Sequence, residues 1–458
     1  MSTVCAIATP AAVGGISVIR ISGERSREIA DKVFRTVSGR LPSELEGYRA
    51  AYGKIYDGDE RLDDGVILMF RAPHSYTGED AAEISCHGGI YVTRRVLTAC
   101  IKAGAEPAAA GEFTKRALLN GKMSLTQAEA VADIISAQGG QLLAASNSQR
   151  EGALYRRAES AADKIMEVSS QISAWIDYPE DDTPTVTEEW LTEKLTAVKS
   201  EFDGLLSGYD KGRLIREGIS CAIVGKPNVG KSTLMNLLTG ERRSIVSDIA
   251  GTTRDVVEET VNLGGTVLRL ADCAGIRETD DEVEKIGVEI MLKRLESADL
   301  VLAVFDSSRP LAEEDLSLLD RLEKLSGSKK EIIFLINKCD LERKWEFSEL
   351  ENRFGKAVCI SAKDDSAADT VAKEINSRFG LDELDANAGF IANERQRSCI
   401  TRAARSVNEA LESVMAGITP DAVGVMLEQA LDAVYELSGR KASDEVIDEV
   451  FRRFCVGK

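Results

Sequence analysis

The chain has 458 residues, enough for roughly three domains at about 150 residues each. Hydrophobic residues make up 43% and charged residues 29%, which is ample for a core, and no apolar run reaches the length that crosses a bilayer. A net charge of −19, from 57 basic and 76 acidic residues, excludes a protein that holds nucleic acid by bulk charge; any RNA contact needs a local basic patch or a basic partner.

The start, MSTVCAIATPAAVGG, is mildly apolar but lacks a basic leader and contains Pro10. It reads as a strand and turn, not a signal peptide. Nine cysteines are scattered along the chain without a C-x-x-C pair. That pattern fits free thiols in a reducing compartment, and a cytoplasmic location is expected. Cys86 and His87 are adjacent, which is too few ligands for a metal site.

Residues 1–118 mix strand and helix signals. ISVIRI (16–21), GVILMF (65–70) and AAEISC (81–86) are strand-length apolar runs separated by Gly and Pro turns. This is an α+β unit. At Ser124 the texture changes, because Ser124 and Gln127 form a capping box before a helical run. Leu191, Leu195, Val198, Phe202 and Leu205 then recur at helical spacing up to Gly208. Residues 119–215 are therefore read as a first helical part. Residues 216–378 alternate strand runs, ISCAIV, TVLRLA, LVLAVF and EIIFLI, with helical segments. That is the pattern of a mostly parallel sheet wrapped by helices. Residues 379–458 are helical again, ending in a helix marked by Val446, Ile447, Val450, Phe451 and Phe454 behind Ser443 as N-cap. The expected class is multidomain α/β, with the 216–378 domain inserted into a helical domain whose two parts pack together.

The inserted domain carries the chemistry. G-x-x-x-x-G-K-S spans 225–232 between a strand and a helix. Backbone N–H groups of Asn228, Val229, Gly230, Lys231, Ser232 and Thr233 can wrap phosphates, Lys231 neutralises them, and the Ser232 hydroxyl suits Mg²⁺. Asn337-Lys338-Cys339-Asp340 follows a strand, and Asp340 can accept two hydrogen bonds from guanine that adenine cannot supply. Ser361-Ala362-Lys363 stands at the guanine side. Asp272-Cys273-Ala274-Gly275 is D-x-x-G, placing Asp272 near Mg²⁺ and the Gly275 N–H near the γ-phosphate. Gly251-Thr252-Thr253-Arg254-Asp255 supplies switch threonines. In this order the motifs specify a GTPase. Ile276 stands where a water-orienting Gln is used elsewhere, so another group must act. The acidic stretch 278–287 either provides that carboxylate or is a solvated switch segment.

GKPNVGKSTLMNLL with SIVSDIAGTTRD also occurs in ribosome-assembly GTPases of the Era and Der type, which keeps such a switch as the rival reading. The flanks decide: SYTGEDAAEISCHGG (75–89), GEFTKRALLNGK (111–122), LTQAEAVADII (125–135) and the terminal FCVGK resemble the MnmE (TrmE) family of tRNA-modification GTPases over essentially the whole chain. The resemblance implies an N-terminal domain that dimerises and binds a tetrahydrofolate, 5,10-methylenetetrahydrofolate or a relative. It implies an FAD-dependent MnmG-type partner, in a heterotetramer, and tRNA as substrate. The product is a C5 aminomethyl-type (carboxymethylaminomethyl) wobble uridine, with the one-carbon unit drawn from folate. It also implies a K⁺-stimulated GTPase whose G domains pair during hydrolysis.

Carried over by position, Ser247, Asp248, Ile249, Ala250, Gly251, Thr252 and Thr253 contact nucleotide. Asn228, Ser247, Ile249 and Thr252 hold K⁺, Ser232 and Thr253 hold Mg²⁺, and Glu284 positions water. Arg20, Glu79, Lys122 and Lys458 match folate contacts, and Cys455 lies near the chemistry. Two departures stand out. TPAAVGG (9–15) replaces a more basic loop, and D-C-A-G replaces D-T-A-G. As a C-a-a-X box the terminal Cys-Val-Gly-Lys fits badly, so Cys455 is either functional or a small packing group.

Overall fold

A computed structural model describes residues 2–177, 186–240, 258–271, 295, 298–325, 330–381, 389–452 and 454–458. They fall into two compact units. One comprises Met1–Ala132, Gln149–Phe202 and Ser398–Lys458, the other Asp133–Ser148 and Asp203–Arg397.

The first unit is built on a sheet. Its strands are β1 (Val4–Ile7), β2 (Ile16–Ser22), β3 (Phe34–Thr36), β4 (Arg49–Asp57), β5 (Glu60–Phe70), β6 (Ala81–His87) and β7 (Glu106–Pro107), in the order β3-β4-β5-β6-β2-β1-β7. All neighbours are antiparallel except β1 and β7. Alternation along the strands sorts the faces. Ile19 and Ile21 of β2 and Ala82, Ile84 and Cys86 of β6 enter a core with Ile29 and Val33 of α1 (Ser26–Val33) and Val96 and Cys100 of α2 (Ile90–Lys102). Arg20 and Glu83 are directly opposite on the other face. The runs 16–21, 65–70 and 81–86 are strands, as the sequence predicts.

Helices complete this unit: α3 (Glu112–Leu119), α4 (Leu125–Ser136) up to Ala132, and α6 (Ala153–Asp177). The predicted capping box forms. The Ser124 N–H reaches the Gln127 side chain at 2.9 Å, and the Gln127 N–H reaches the Ser124 hydroxyl at 3.3 Å. Four alanines are among the buried residues of α6, and α6 packs against α14 (Pro420–Ser438), which follows α13 (Glu394–Met415). Small side chains let two helix backbones approach closely. The predicted stripe of α7 (Glu188–Ser207) is buried at every position from Leu191 to Leu205. The last helix, α15 (Asp444–Arg452), is capped by the Ser443 hydroxyl and packs Ile447 and Phe451 on Leu125 and Ala128. Phe454, expected as part of that helix, lies beyond it, bonded through its N–H to the Phe451 carbonyl at 3.0 Å. It still joins the same cluster.

In the second unit, α5 (Gly140–Arg150, up to Ser148) and α8 (Tyr209–Glu217) accompany a six-stranded sheet. Its strands are β8 (Ile219–Val224), β9 (Glu258–Leu263), β10 (Thr266–Ala271), β11 (Leu300–Asp306), β12 (Glu331–Asn337) and β13 (Val358–Cys359). The order is β13-β12-β11-β8-β10-β9, and only the β9–β10 hairpin is antiparallel. Every residue of β11 is buried, as a strand covered on both faces requires. The helices here are α9 (Lys231–Thr239), α10 (Glu313–Leu325), α11 (Ser348–Phe354) and α12 (Ser366–Phe379). From β8, β11 and β12 the chain leaves at the same end of the sheet, where ligands bind in open parallel folds. Among the described residues, no helix is long and apolar enough to cross a membrane.

Candidate nucleotide-binding site

The loop 225–230 joins buried β8 to the N-terminus of α9. Its shape has a backbone cause. Gly230 has φ +103°, and a Cβ there would lie 2.2 Å from the Asn337 Nδ2, so only glycine fits. Val229 is buried and anchors the loop, while Ser232 and Thr233 are exposed on the first turn of α9. The positive end of a helix thus adjoins the loop, an arrangement that suits phosphate. The Lys231 ammonium donates to the Gly225 and Lys226 carbonyls at 2.8 Å each, which holds it over the loop.

The guanine-side motif also clamps the phosphate loop. Asn337, 3% exposed, donates through Nδ2 to the Val229 carbonyl at 2.8 Å and accepts the Ala362 N–H at 2.9 Å. One side chain therefore ties the phosphate loop to the S-A-K segment. Lys338 donates to the Asn228 carbonyl at 3.0 Å and to the Asp306 carboxylate at 2.6 Å. Burial opposes ionisation of Asp306, but Lys338 and the Ser308 hydroxyl and amide overcome it and hold the group below the usual carboxylate range. Cys339 donates its N–H to the Ile360 carbonyl at 3.1 Å. Asp340 and Lys363 stay exposed, free to meet a base. The phosphate loop and the exposed Asp340 and Lys363 thus lie on segments tied together by Asn337 and Lys338.

Asp306 and Asp315 were not singled out from the sequence. Asp315 pairs with Lys226 and accepts the Ala312 N–H at 2.9 Å. Both acids act from positions far along the chain, with no local motif to mark them. Ser247, Asp248, Ile249, Ala250, Gly251, Thr252, Thr253, Asp272, Cys273, Ala274, Gly275 and Glu284 lie outside the described residues.

The first unit holds the remaining candidates. Arg20 pairs with Glu83 at 2.7 Å, lies over the Tyr76 and Phe113 rings, and donates to the Gly457 carbonyl at 3.3 Å. The C-terminal tail is docked here. The Gly111 N–H donates to the Cys455 carbonyl, the Phe113 N–H donates to the Lys458 carbonyl, and Val456 bridges to Ala110. Gly457 has φ +95°, and a Cβ there would lie 2.3 Å from the Ile7 carbonyl oxygen. Cys455 is exposed. Glu79 accepts the Ser22 hydroxyl at 2.8 Å and the buried Arg116 guanidinium at 3.1 Å. Lys122 donates to the Pro73 carbonyl at 3.0 Å. Arg20 and the tail are thus brought together, with Glu79 bonded two residues further along β2. Ser22, Thr77 and Arg116 complete that polar cluster and were not predicted.

A family profile described as the MnmE helical domain matches residues 125–455, and one described as the GTP-binding protein TrmE N-terminus matches residues 3–122. The chain belongs to the MnmE family of tRNA-modification GTPases. Two relatives named tRNA modification GTPase MnmE, from Acetivibrio thermocellus and Geobacter sulfurreducens, are each 39% identical over 100% of this chain and 99% of their own. A third, from Clostridioides difficile, is 38% identical with the same coverage. A solved structure of Aquifex aeolicus Era is 27% identical, covering 41% of this chain and 66% of that one, with a TM-score of 0.28. As a member of the MnmE family the chain is a GTP hydrolase acting in tRNA modification, which sets aside the ribosome-assembly rival. Its phosphate loop and N-K-C-D segment are the parts of that hydrolase described above.

Proposed function

We propose that this GTPase, with an FAD-dependent partner, installs an aminomethyl-type group at C5 of the tRNA wobble uridine, drawing the carbon from a folate. The reading is supported most by the tail, which carries Cys455 and Lys458 to the same patch as Arg20. A folate offers a polar pterin and a glutamate tail. Arg20, Lys122 and Lys458 suit its carboxylates, and Glu79 suits the pterin's N–H donors. The polar set on one face of the sheet fits such a ligand. Bound there, a folate supplies the one-carbon unit; the chain's residues orient it, and Cys455 stands exposed beside it.

In the nucleotide site, GTP and water give GDP and phosphate. The loop N–H groups and Lys231 stabilise the phosphate charge, and Asp340 selects guanine. Exposed Ser232 fits Mg²⁺. Asn228, exposed at φ +66° in the loop, presents an amide carbonyl of the kind K⁺ takes, with Ser247, Ile249 and Thr252 as its companions. Glu284 then orients the water. A homodimer, a cytoplasmic location and a basic partner that carries much of the tRNA contact belong to the same reading, the last because of the net charge of −19.

Nucleoside mass spectrometry of total tRNA tests it, with the gene deleted, restored, and restored as Cys455→Ser. The C5-substituted wobble uridine should vanish on deletion and return only with the intact tail. A deletion that changes no nucleoside rejects the modification, and full rescue by the serine variant reduces the tail to packing. Hydrolysis that runs equally fast in Na⁺ and K⁺ rejects the role given to Asn228.

A further inference from the structure

Two thiols stand side by side on the guanine side of the nucleotide site. Cys339 is the third residue of N-K-C-D, and Cys359 ends β13. β12 and β13 are parallel with Ile336 opposite Cys359, and just beyond β12 the Cys339 N–H bonds to the Ile360 carbonyl at 3.1 Å. The two segments are thus stitched together around the pair, which brings the thiols near enough for Cys359 to act on the ionisation of Cys339. Both residues are exposed. Cys5, Cys86, Cys100, Cys221 and Cys399 are buried, and exposed Cys455 belongs to the other unit.

We propose that Cys339 and Cys359 form a thiol–disulfide modification site, oxidised by low-molecular-weight disulfides, whose closure weakens guanine-nucleotide binding. One thiolate attacks a sulfur of the small disulfide RSSR, making a mixed disulfide and releasing RS⁻, which takes up a proton. The second thiol gives up its proton and displaces the other RS⁻, closing the Cys339–Cys359 bond. The protein loses two electrons and two protons, and RSSR becomes two RSH. Partial burial, and then the Cys359 thiol, push Cys339 up to about 11. Steps that need its thiolate are slow at neutral pH and quicken about tenfold per pH unit.

The consequence for binding is geometric. A disulfide is about 2.05 Å long, far shorter than any approach of two unbonded sulfurs. Closure draws the Cys339 sulfur from the Ile336 carbonyl it now meets at 3.2 Å. It pulls on Asp340, the next residue, and on the strand that leads into Ser361 and Ala362. This rests on reading Asp340 as the guanine contact.

The test uses the full chain, oxidised with glutathione disulfide at pH 7 and pH 9 and then freed of small molecules. Peptide mass spectrometry maps the cross-link, and a fluorescent GDP measures affinity before and after dithiothreitol. A linked Cys339–Cys359 peptide is expected. GDP affinity should fall about fivefold or more, the loss expected when one of two charge-assisted bonds weakens. Dithiothreitol should restore it. Cys359→Ser should bind GDP like the untreated protein and ignore the oxidant. Absence of the linked peptide at both pH values overturns the proposal, as does a linked protein with unchanged affinity or a Cys359→Ser variant that still responds. Asp340→Asn separates the two readings: if it binds GDP as tightly as wild type, the guanine assignment itself fails, whatever cross-link is mapped.

Discussion

The Asn337 carboxamide holds two loops with its two ends, donating to the Val229 carbonyl and accepting from the Ala362 amide. Asn337→Ala leaves both backbone groups without a partner in a buried place. Each orphaned group costs about 1–3 kcal/mol, so the variant should melt earlier and bind GDP at least tenfold more weakly by fluorescence titration. Asp340→Asn should change preference as well as strength. An amide donates where the carboxylate accepted, so discrimination should shift from guanine toward xanthine nucleotides in competition binding. His87 makes a separate prediction. Its ring meets Asp63 at 2.8 Å, and that bond raises its pKa above the ordinary value. A raised folded value means the pair stabilises the protein below the unfolded pKa of about 6.5, and that this contribution disappears as pH rises through the folded value. With only two histidines in the chain, an NMR titration can assign it. His87 should titrate above the ordinary range in wild type and fall back in Asp63→Asn; identical curves would refute the pairing.

Elements were legible where their signal is local. The capping box at Ser124 and the α7 stripe are patterns of spacing within a few residues, and each forms as read. Ser124→Ala should therefore cost about 1 kcal/mol, and Leu195→Ala, at a fully buried position, about 2–5 kcal/mol in chemical denaturation. A loss under half a kilocalorie at Leu195 would contradict its burial. Short or half-exposed strands were not legible. β9 reads EETVNL, with acids where a core strand would be apolar, because among the described residues it is the sheet edge, paired with β10. β4 is a partly exposed strand, and its alternation is diluted by Lys and Tyr. Phe454 carries the apolar period of α15 past the helix end, so periodicity alone extends the helix too far.

At the scale of the whole molecule, the chain enters and leaves each unit more than once. Residues 133–148 and 203–397 form one unit between segments of the other. The last four residues return to the first strand, where Gly457 passes the Ile7 carbonyl at a distance that admits no side chain. Gly457→Ala should dislodge the tail. The expected result is loss of the modified nucleoside in vivo with GTP hydrolysis retained in vitro; loss of both would mean that the tail serves general stability. The phosphate loop, the N-K-C-D segment and the order of the motifs were determined by the sequence alone, because a phosphate or a base is met by residues a few positions apart on one turn. The polar cluster of Ser22, Thr77, Glu79 and Arg116, the support of Lys338 by Asp306, the meeting of Cys339 with Cys359, and the docking of the tail on Arg20 were decided only by the tertiary structure. Those partners are separated by tens to hundreds of residues, and no local spacing carries a contact that exists only once strands and helices have packed.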